Sequence, residues 1–267
     1  MRSVVSLLIV IALASPVLLA QASPSEQVQV GPPPVRRAEP PSPGATSEEL
    51  ENRGDALRMD KDYLDALDYY HAALAKKHND HVLLNKSGIA ELMMLRWKDA
   101  AKDFDRSIKA NRDYAEAYNN RGVIYYQERN YGKAIKDYEK AIKLQSDSAS
   151  YYSNLGAAYF AKKDFEKASE AYSQAMQLDS DIFDRVSRAG IAAQLSSPED
   201  RAHFDFVLAR LYAKAGDIDR SLQSLRRAME EGYKGIDSVY KEGEFTALRK
   251  DPRFAQLMAD RPPAIPE

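Results

Sequence analysis

Residues 149–182 read ASYYSNLGAAYFAKKDFEKASEAYSQAMQLDSDI, and residues 115–148 before them read AEAYNNRGVIYYQERNYGKAIKDYEKAIKLQSDS. Aligned without a gap, both have glycine at the eighth place, alanine at the twentieth, tyrosine at the twenty-fourth and alanine at the twenty-seventh. The same 34-residue spacing extends back through residues 47–80 and 81–114. The recurring glycines and alanines are Gly54, Gly88, Gly122, Gly156, Ala66, Ala100, Ala134 and Ala168. Such a fixed period predicts a repeat architecture.

Within each unit, the apolar residues follow the period of an α-helix in two runs. They recur at i, i+3, i+4 and i+7, and a polar step such as Lys163-Asp164 separates the runs. This pattern predicts two short amphipathic helices joined by a turn. Small residues allow the two helices to approach closely, and aromatic residues fill the space around that contact. Because one hairpin cannot bury both of its faces, we expect the units to stack.

The third and fourth units resemble the tetratricopeptide repeat. In the third unit, the residues that carry the resemblance are Tyr118, Arg121, Gly122, Tyr125, Ala134, Tyr138 and Ala141. The resemblance implies an all-α, right-handed superhelical solenoid with units at 47–80, 81–114, 115–148 and 149–182. The family's proline near the end of each unit is missing here, and the residues in its place are His78, Arg112, Ser146 and Ser180. We expect softer turns between units and an unchanged fold.

Beyond the fourth unit the period weakens. Residues 183–201 are expected to form a helix docked on that unit, followed by a loop. Ser197 and Pro198 are of the types preferred at the N-cap and in the first turn of a helix. Residues 202–235 are predicted to be a fifth, divergent repeat. Residues 236–267 are predicted to contain capping helices and a tail that close the exposed end of the stack.

The first residues have the pattern of a signal peptide. Arg2 precedes an apolar run, and Ala20-Gln21-Ala22 supplies small residues for cleavage, so we expect residues 1–22 to be removed. An uncleaved anchor is the alternative, because the run reaches the lower limit of a membrane span. Export to the periplasm or the medium is therefore expected, with no integral span after cleavage. The proline-rich residues 23–46 are expected to form an extended tether.

Composition and motifs argue against several classes of function. The 38 Lys and Arg residues against 40 Asp and Glu leave no positive excess for nucleic acid, and the chain has no cysteine for thiol chemistry. It has no phosphate-binding loop and no metal or nucleophile motif. His71, His78 and His81 fall near one turn, but no carboxylate set completes a metal site, so solvated surface is the favoured interpretation. We expect neither catalysis nor a cofactor.

The resemblance implies that function lies on the first helix of each unit, which faces a concave groove in this family. The positions that it assigns to the groove are Asn85, Ile89, Leu92, Met93, Asn119, Val123, Tyr126, Gln127, Ser153, Ala157, Phe160 and Ala161. Amides beside an apolar floor suit a peptide segment or a helix of a partner protein. The alternative is that some of these residues pack against neighbouring first helices.

Members of the family that grip a C-terminal carboxylate use lysines on these helices. Glu51, Asn85, Asn119 and Ser153 stand where such a lysine is expected, so that activity is not implied. The leading hypothesis is a non-catalytic interaction scaffold that works outside the cytoplasm. The alternative is a structural accessory subunit of an envelope assembly complex.

Overall fold

The computed structural model describes residues 38–186 and 197–263, and these residues contain helices and turns but no strand. The helices are α1 (Ser47–Met59), α2 (Tyr63–Lys76), α3 (His81–Met93), α4 (Trp97–Ala110), α5 (Ala115–Gln127), α6 (Tyr131–Leu144), α7 (Ala149–Ala161), α8 (Phe165–Leu178), α9 (Ile182–Val186), α10 (Pro198–Ala215), α11 (Ile218–Glu230) and α12 (Pro252–Ala259). Helices α1 to α8 form four consecutive hairpins. The predicted signal peptide and most of the predicted linker lie outside the described residues. Over the part described, no helix combines the length and the apolar character needed to cross a bilayer.

The first helix of every hairpin ends in the same kind of turn. One residue of each turn has a left-handed backbone, with φ between 59 and 67°, and these residues are Lys61, Leu95, Arg129 and Lys163. The next residue then donates its backbone N–H to a carbonyl of the last helical turn, as from Asp164 to Tyr159 at 3.0 Å. This bond satisfies a carbonyl group that the helix end would leave free. The polar step seen in the sequence is therefore a tight, hydrogen-bonded turn.

Inside each hairpin, the glycine of the first helix lies against an aromatic ring of the second. A methyl group at Gly156 would lie 2.5 Å from the ring of Tyr172, and one at Gly122 would lie 2.6 Å from the ring of Tyr138. Both rings are buried in the core. The close approach therefore depends on the absence of a side chain at these glycines. The predicted all-α stack of helical hairpins is confirmed.

The C-terminal part is a fifth hairpin with its own core. Helices α10 and α11 pair around Gly216, whose φ of 80° is left-handed. Short 3-10 segments (Ile236–Tyr240, Gly243–Thr246 and Leu248–Lys250) and α12 pack against this hairpin around Phe206, Leu225 and Phe245. Of the docked helix expected after the fourth unit, α9 is described, and its Phe183 packs edge-on against Tyr172 at 5.3 Å. Residues 187–196 lie outside the described residues.

Candidate functional site: the shared face of the first helices

Hydrogen bonds between side chains join the first helices α1, α3, α5 and α7 into one surface. Lys86 Nζ lies 2.6 Å from Glu51 Oε1, Asn120 Nδ2 donates to Asn85 Oδ1 at 3.0 Å, and Asn154 Nδ2 donates to Asn119 Oδ1 at 2.9 Å. In every case the partners are 35 residues apart, so the fifth place of one unit meets the sixth place of the next. We call the surface that carries these residues the first-helix face.

The amides of this face form one directed chain of hydrogen bonds. Each member donates to the next in the order Asn154, Asn119, Asn120, Asn85, Tyr114 and Glu116. Hydrogen bonds in such a chain polarise one another, which strengthens them together. The chain therefore fixes α3, α5 and α7 relative to each other, and we call it the amide ladder.

Charges on α1 and α3 are paired within the face. Lys86 Nζ lies 2.6 Å from both Glu51 Oε1 and Asp55 Oδ2, and Arg58 lies 3.9 Å from Asp55. Burial alone would lower the pKa of Lys86, but hydrogen bonds to Asp55 and Glu51 outweigh this effect and hold the pKa above its ordinary value. Lys86 is therefore a charged residue already neutralised by its own neighbours, which leaves it poorly placed to bind an anionic ligand.

One end of the first-helix face carries apolar side chains that reach solvent. Met59 on α1 is 79% exposed, Met93 on α3 is 52% exposed and Leu95 in the following turn is 74% exposed. Ile89 and Leu92 on α3 and Val123 on α5 are partly buried. Only five large hydrophobic residues are exposed in the described part of the chain, and three of them stand at the end of α1 and at the end of α3 and its following turn, as expected for an interaction surface. We call this region the open end.

The other end of the face is covered by the C-terminal hairpin. Phe160 on α7 is 0% exposed, and the rings of His203 and Phe204 on α10 lie 5.5 and 6.0 Å from it. An ion pair between Lys163 and Asp200 holds the start of α10 beside the turn that follows α7. We call this region the closed end.

The expectation that the predicted groove residues are accessible is therefore met only in part. Phe160 and Ala157 are core residues, because α10 and the neighbouring helices cover them, and Tyr126 is buried against Tyr131. The residues whose polar side chains are buried within the first-helix face are Asn85, Asn119 and Ser153. The predicted residues that remain at least partly exposed are Ile89, Leu92, Met93, Val123, Gln127 and Ala161.

Sequence reasoning missed several residues of this face. Lys86, Asp55, Asn120 and Asn154 are not among the residues predicted for the groove. The available signal was the 34-residue period itself, since Asn120 and Asn154 hold the same place in successive units. Met59 also has the same place in its unit as Met93.

Two of the histidines near the first inter-unit turn, His71 and His81, have ordinary protein partners. The ring of His81 packs edge-on against Tyr114 at 4.8 Å, and His71 Nε2 lies 3.4 Å from Ser87 Oγ. Across residues 38–186 and 197–263, no group of three histidine, aspartate or glutamate side chains is placed to hold a metal ion.

A second concave surface lies between α8 and α10. It encloses about 1110 Å³ and is lined by a mixture of charged and apolar side chains, including Glu166, Glu170, Leu155, Val207 and Arg210. We call it the α8–α10 groove. None of its lining residues belongs to the amide ladder.

Known proteins resemble the chain in its repeats and its fold. A family model for the tetratricopeptide repeat matches residues 115–148 and 149–182, and no curated protein matches the chain. The solved structure of MamA is 20% identical, over 75% of this chain and 97% of that chain, with a TM-score of 0.49. Residues 41 to the end of MamA from Desulfovibrio magneticus RS-1 are 20% identical, over 71% and 97%, with a TM-score of 0.50. The first tetratricopeptide domain of Spaghetti (RPAP3), bound to an HSP90 peptide, is 22% identical, over 47% and 92%, with a TM-score of 0.38.

Proposed function

This chain is built from tetratricopeptide repeats, and we propose that it is a non-catalytic scaffold that binds a segment of another protein on its first-helix face. The observation that carries the proposal is the open end, where Met59, Met93 and Leu95 account for three of the five exposed large hydrophobic residues in the described part of the chain. Exposed apolar patches with a polar surround are typical of interaction sites. The segment would lie across α1, α3 and α5.

The rigidity of the face supports this proposal. The amide ladder and the Lys86 ion pairs hold α1, α3, α5 and α7 in one arrangement before any partner arrives. A surface that is ordered in advance loses little conformational entropy on binding, so more of the contact energy contributes to affinity. The closed end limits the length of the site, because α10 occupies the region over Phe160.

Selection of peptides from an unbiased displayed library on the purified chain tests the proposal. We expect Met93→Ser to weaken the binding of the selected peptides by about tenfold, which corresponds to the loss of one apolar anchor. Leu178→Ser is the matched control, since Leu178 is 45% exposed but lies at the end of α8, away from the first-helix face. Peptides that bind Met93→Ser and the unchanged chain equally well would contradict the proposal.

We also propose that the scaffold works outside the cytoplasm. The support is the signal-peptide pattern of residues 1–22, with Arg2, an apolar run and Ala20-Gln21-Ala22. The intact mass of the exported protein should correspond to a chain that starts at Ser23. A mass that includes residues 1–22 would show that the segment is retained and would favour the anchor.

A further inference from the structure

Acidic side chains outnumber basic ones on α1, α3 and α5. Glu48, Glu51 and Asp55 lie on one side of α1 at helical spacing, and Glu116 ends the amide ladder on α5. The bases that pair with Glu51 and Asp55 are Lys86 and Arg58. Over the whole of α1, α3 and α5 there are six Asp and Glu residues against four Lys and Arg residues, and this negative excess attracts positive charge.

The two bases are not free to receive an anionic partner. Lys86 is held by Glu51 and Asp55, and Arg58 is held by Asp55 and by the hydroxyl group of Tyr70. An incoming carboxylate would have to displace these acids and would leave them unpaired. In contrast, a lysine or arginine near Glu48 and Glu116 would add a favourable ion pair without breaking one.

Apolar and acidic residues occupy different parts of the open end. The acids Glu48 and Glu116 lie in the first turns of α1 and α5, whereas Met59 and Met93 are the last residues of α1 and α3. A segment that crosses these helices therefore meets an acidic band along one edge and an apolar band along the other. Only a segment with one apolar edge and one basic edge matches both bands.

The amide ladder favours a helical partner over an extended one. An extended segment needs donors and acceptors from the surface for its backbone, but Asn85 and Asn119 are buried and bonded within the ladder. A helix satisfies its own backbone groups internally and presents side chains alone. Methionine side chains such as Met59 and Met93 are flexible and adapt to the ridges of a docked helix.

We propose that the occupant of the open end is a cationic amphipathic helix of a partner protein, with its apolar side on Met59, Leu92 and Met93 and its basic side on Glu48 and Glu116. This inference rests on the proposed function and names the chemistry of the partner. In this proposal the acidic residues select a basic partner, and the contact with the apolar residues supplies most of the affinity.

Three labelled synthetic peptides of about five helical turns test the inference on the purified chain. The first has leucine along one helical side and lysine along the other. The second replaces every lysine by glutamate, and the third has the composition of the first but is shuffled so that the apolar side is lost. We expect the lysine peptide to bind about tenfold or more tightly than either of the other two, measured by fluorescence anisotropy. Its affinity should fall as salt is raised, because salt screens exposed charges.

Neutralising variants locate the binding site. Glu48→Gln combined with Glu116→Gln should weaken the lysine peptide about 3- to 10-fold, the range given by two exposed charge pairs. Glu166→Gln combined with Glu170→Gln on α8 is the matched control and should have no effect. Both double variants replace exposed side chains with isosteric ones, and equal melting temperatures will show that both are folded.

Four outcomes would overturn the inference. Two concern the other peptides: the glutamate peptide binds as tightly as the lysine peptide or more tightly, or the shuffled peptide binds equally well. The third is that the α8 double variant alone weakens binding of the lysine peptide, which would place the peptide in the α8–α10 groove. The fourth is that the lysine peptide does not bind. The proposed function is judged separately, by whether library-selected peptides depend on Met93. A Met93-dependent peptide set together with a non-binding lysine peptide would refute the charge assignment alone.

Discussion

Leu92 and Phe160 hold the same place in the second and fourth repeats, yet one lies at the open end of the first-helix face and the other lies in the core. Leu92 is partly buried and borders the exposed Met93, whereas Phe160 is fully buried under His203 and Phe204. The register of the repeat is identical at both residues. Phe160 packs on Phe165 of its own repeat at 5.0 Å and also under α10, which docks over the fourth unit. What packs on a repeat position from outside the repeat therefore contributes to its role.

The largest expected effect on the free energy of unfolding comes from truncating Leu92 and Phe160 separately to alanine. Phe160→Ala should destabilise the protein by about 3–5 kcal/mol, because a fully buried aromatic side chain is removed and a cavity remains. Leu92→Ala should cost about 1–2 kcal/mol, because part of the side chain is already in solvent. Denaturant unfolding of both variants measures the difference. Equal losses would show that the two ends are packed alike.

Glycine replacements compare the inside of a repeat with its surface. Gly156→Ala should cost about 1–3 kcal/mol, since the new methyl group would lie 2.5 Å from the buried ring of Tyr172. Gly132 on α6 is the control, because a methyl group there would meet no atom within 4 Å. Gly132→Ala should be neutral or stabilising by up to about 1 kcal/mol. The melting temperature should therefore fall for Gly156→Ala and stay unchanged or rise for Gly132→Ala, and a Gly156→Ala variant as stable as the unchanged protein would contradict the packing described.

Removing one side chain of the amide ladder tests how much the ladder contributes to stability between the open end and the closed end. Asn120→Ala should cost about 1–2 kcal/mol, because it leaves Asn85 Oδ1 and Asn119 Nδ2 without their partners. Asn52 has the same place in the first repeat but is exposed, and Asn52→Ala should change stability by less than about 0.5 kcal/mol. Urea unfolding measures both values. A neutral Asn120→Ala variant would show that the ladder contributes little.

The smallest expected effect is a pH dependence of the closed end. Burial lowers the pKa of His203 below its ordinary value of 6.5, with help from Lys163 and Arg210 and against the acids Asp200 and Glu199. As pH falls below about 6.5, His203 binds a proton more readily in the unfolded chain than in the folded one, so the free energy of unfolding decreases on the acid side. The fall in melting temperature from pH 7.5 to pH 5.5 should therefore be larger for the unchanged protein than for His203→Gln. Parallel losses in the two proteins would contradict this assignment.

The parts of the fold that repeat could be read from the sequence, because the same local contact recurs in every unit. Gly156 and Tyr172 are 16 residues apart, so the helical hairpin that joins them is specified within one unit. The cover over Phe160 comes from His203, beyond the fourth repeat and after residues that break the period. No periodic pattern encodes that docking.

In the candidate site, too, some features could be predicted from the sequence and others could not. Exposure of Met93 followed from its place on the first helix, and the structure agrees. The buried hydrogen bond between Asn85 and Asn120 did not follow, because sequence spacing gives the face on which a side chain lies but not whether its amide bonds to solvent or to a neighbour. The alternative that some groove residues pack against neighbouring first helices therefore applies to Asn85 and Asn119.

The position of α1 in the stack has a consequence for how a bound partner would affect the stability of the chain. In a linear array each hairpin is stabilised mainly by its neighbours, and within residues 38–186 the first hairpin packs on one other hairpin, through α2 and α3. Local unfolding should therefore begin with α1 and α2, the hairpin that carries Glu48, Glu51 and Met59. A ligand bound there would suppress this fraying by mass action, so occupancy would register as slower amide hydrogen exchange in the first hairpin.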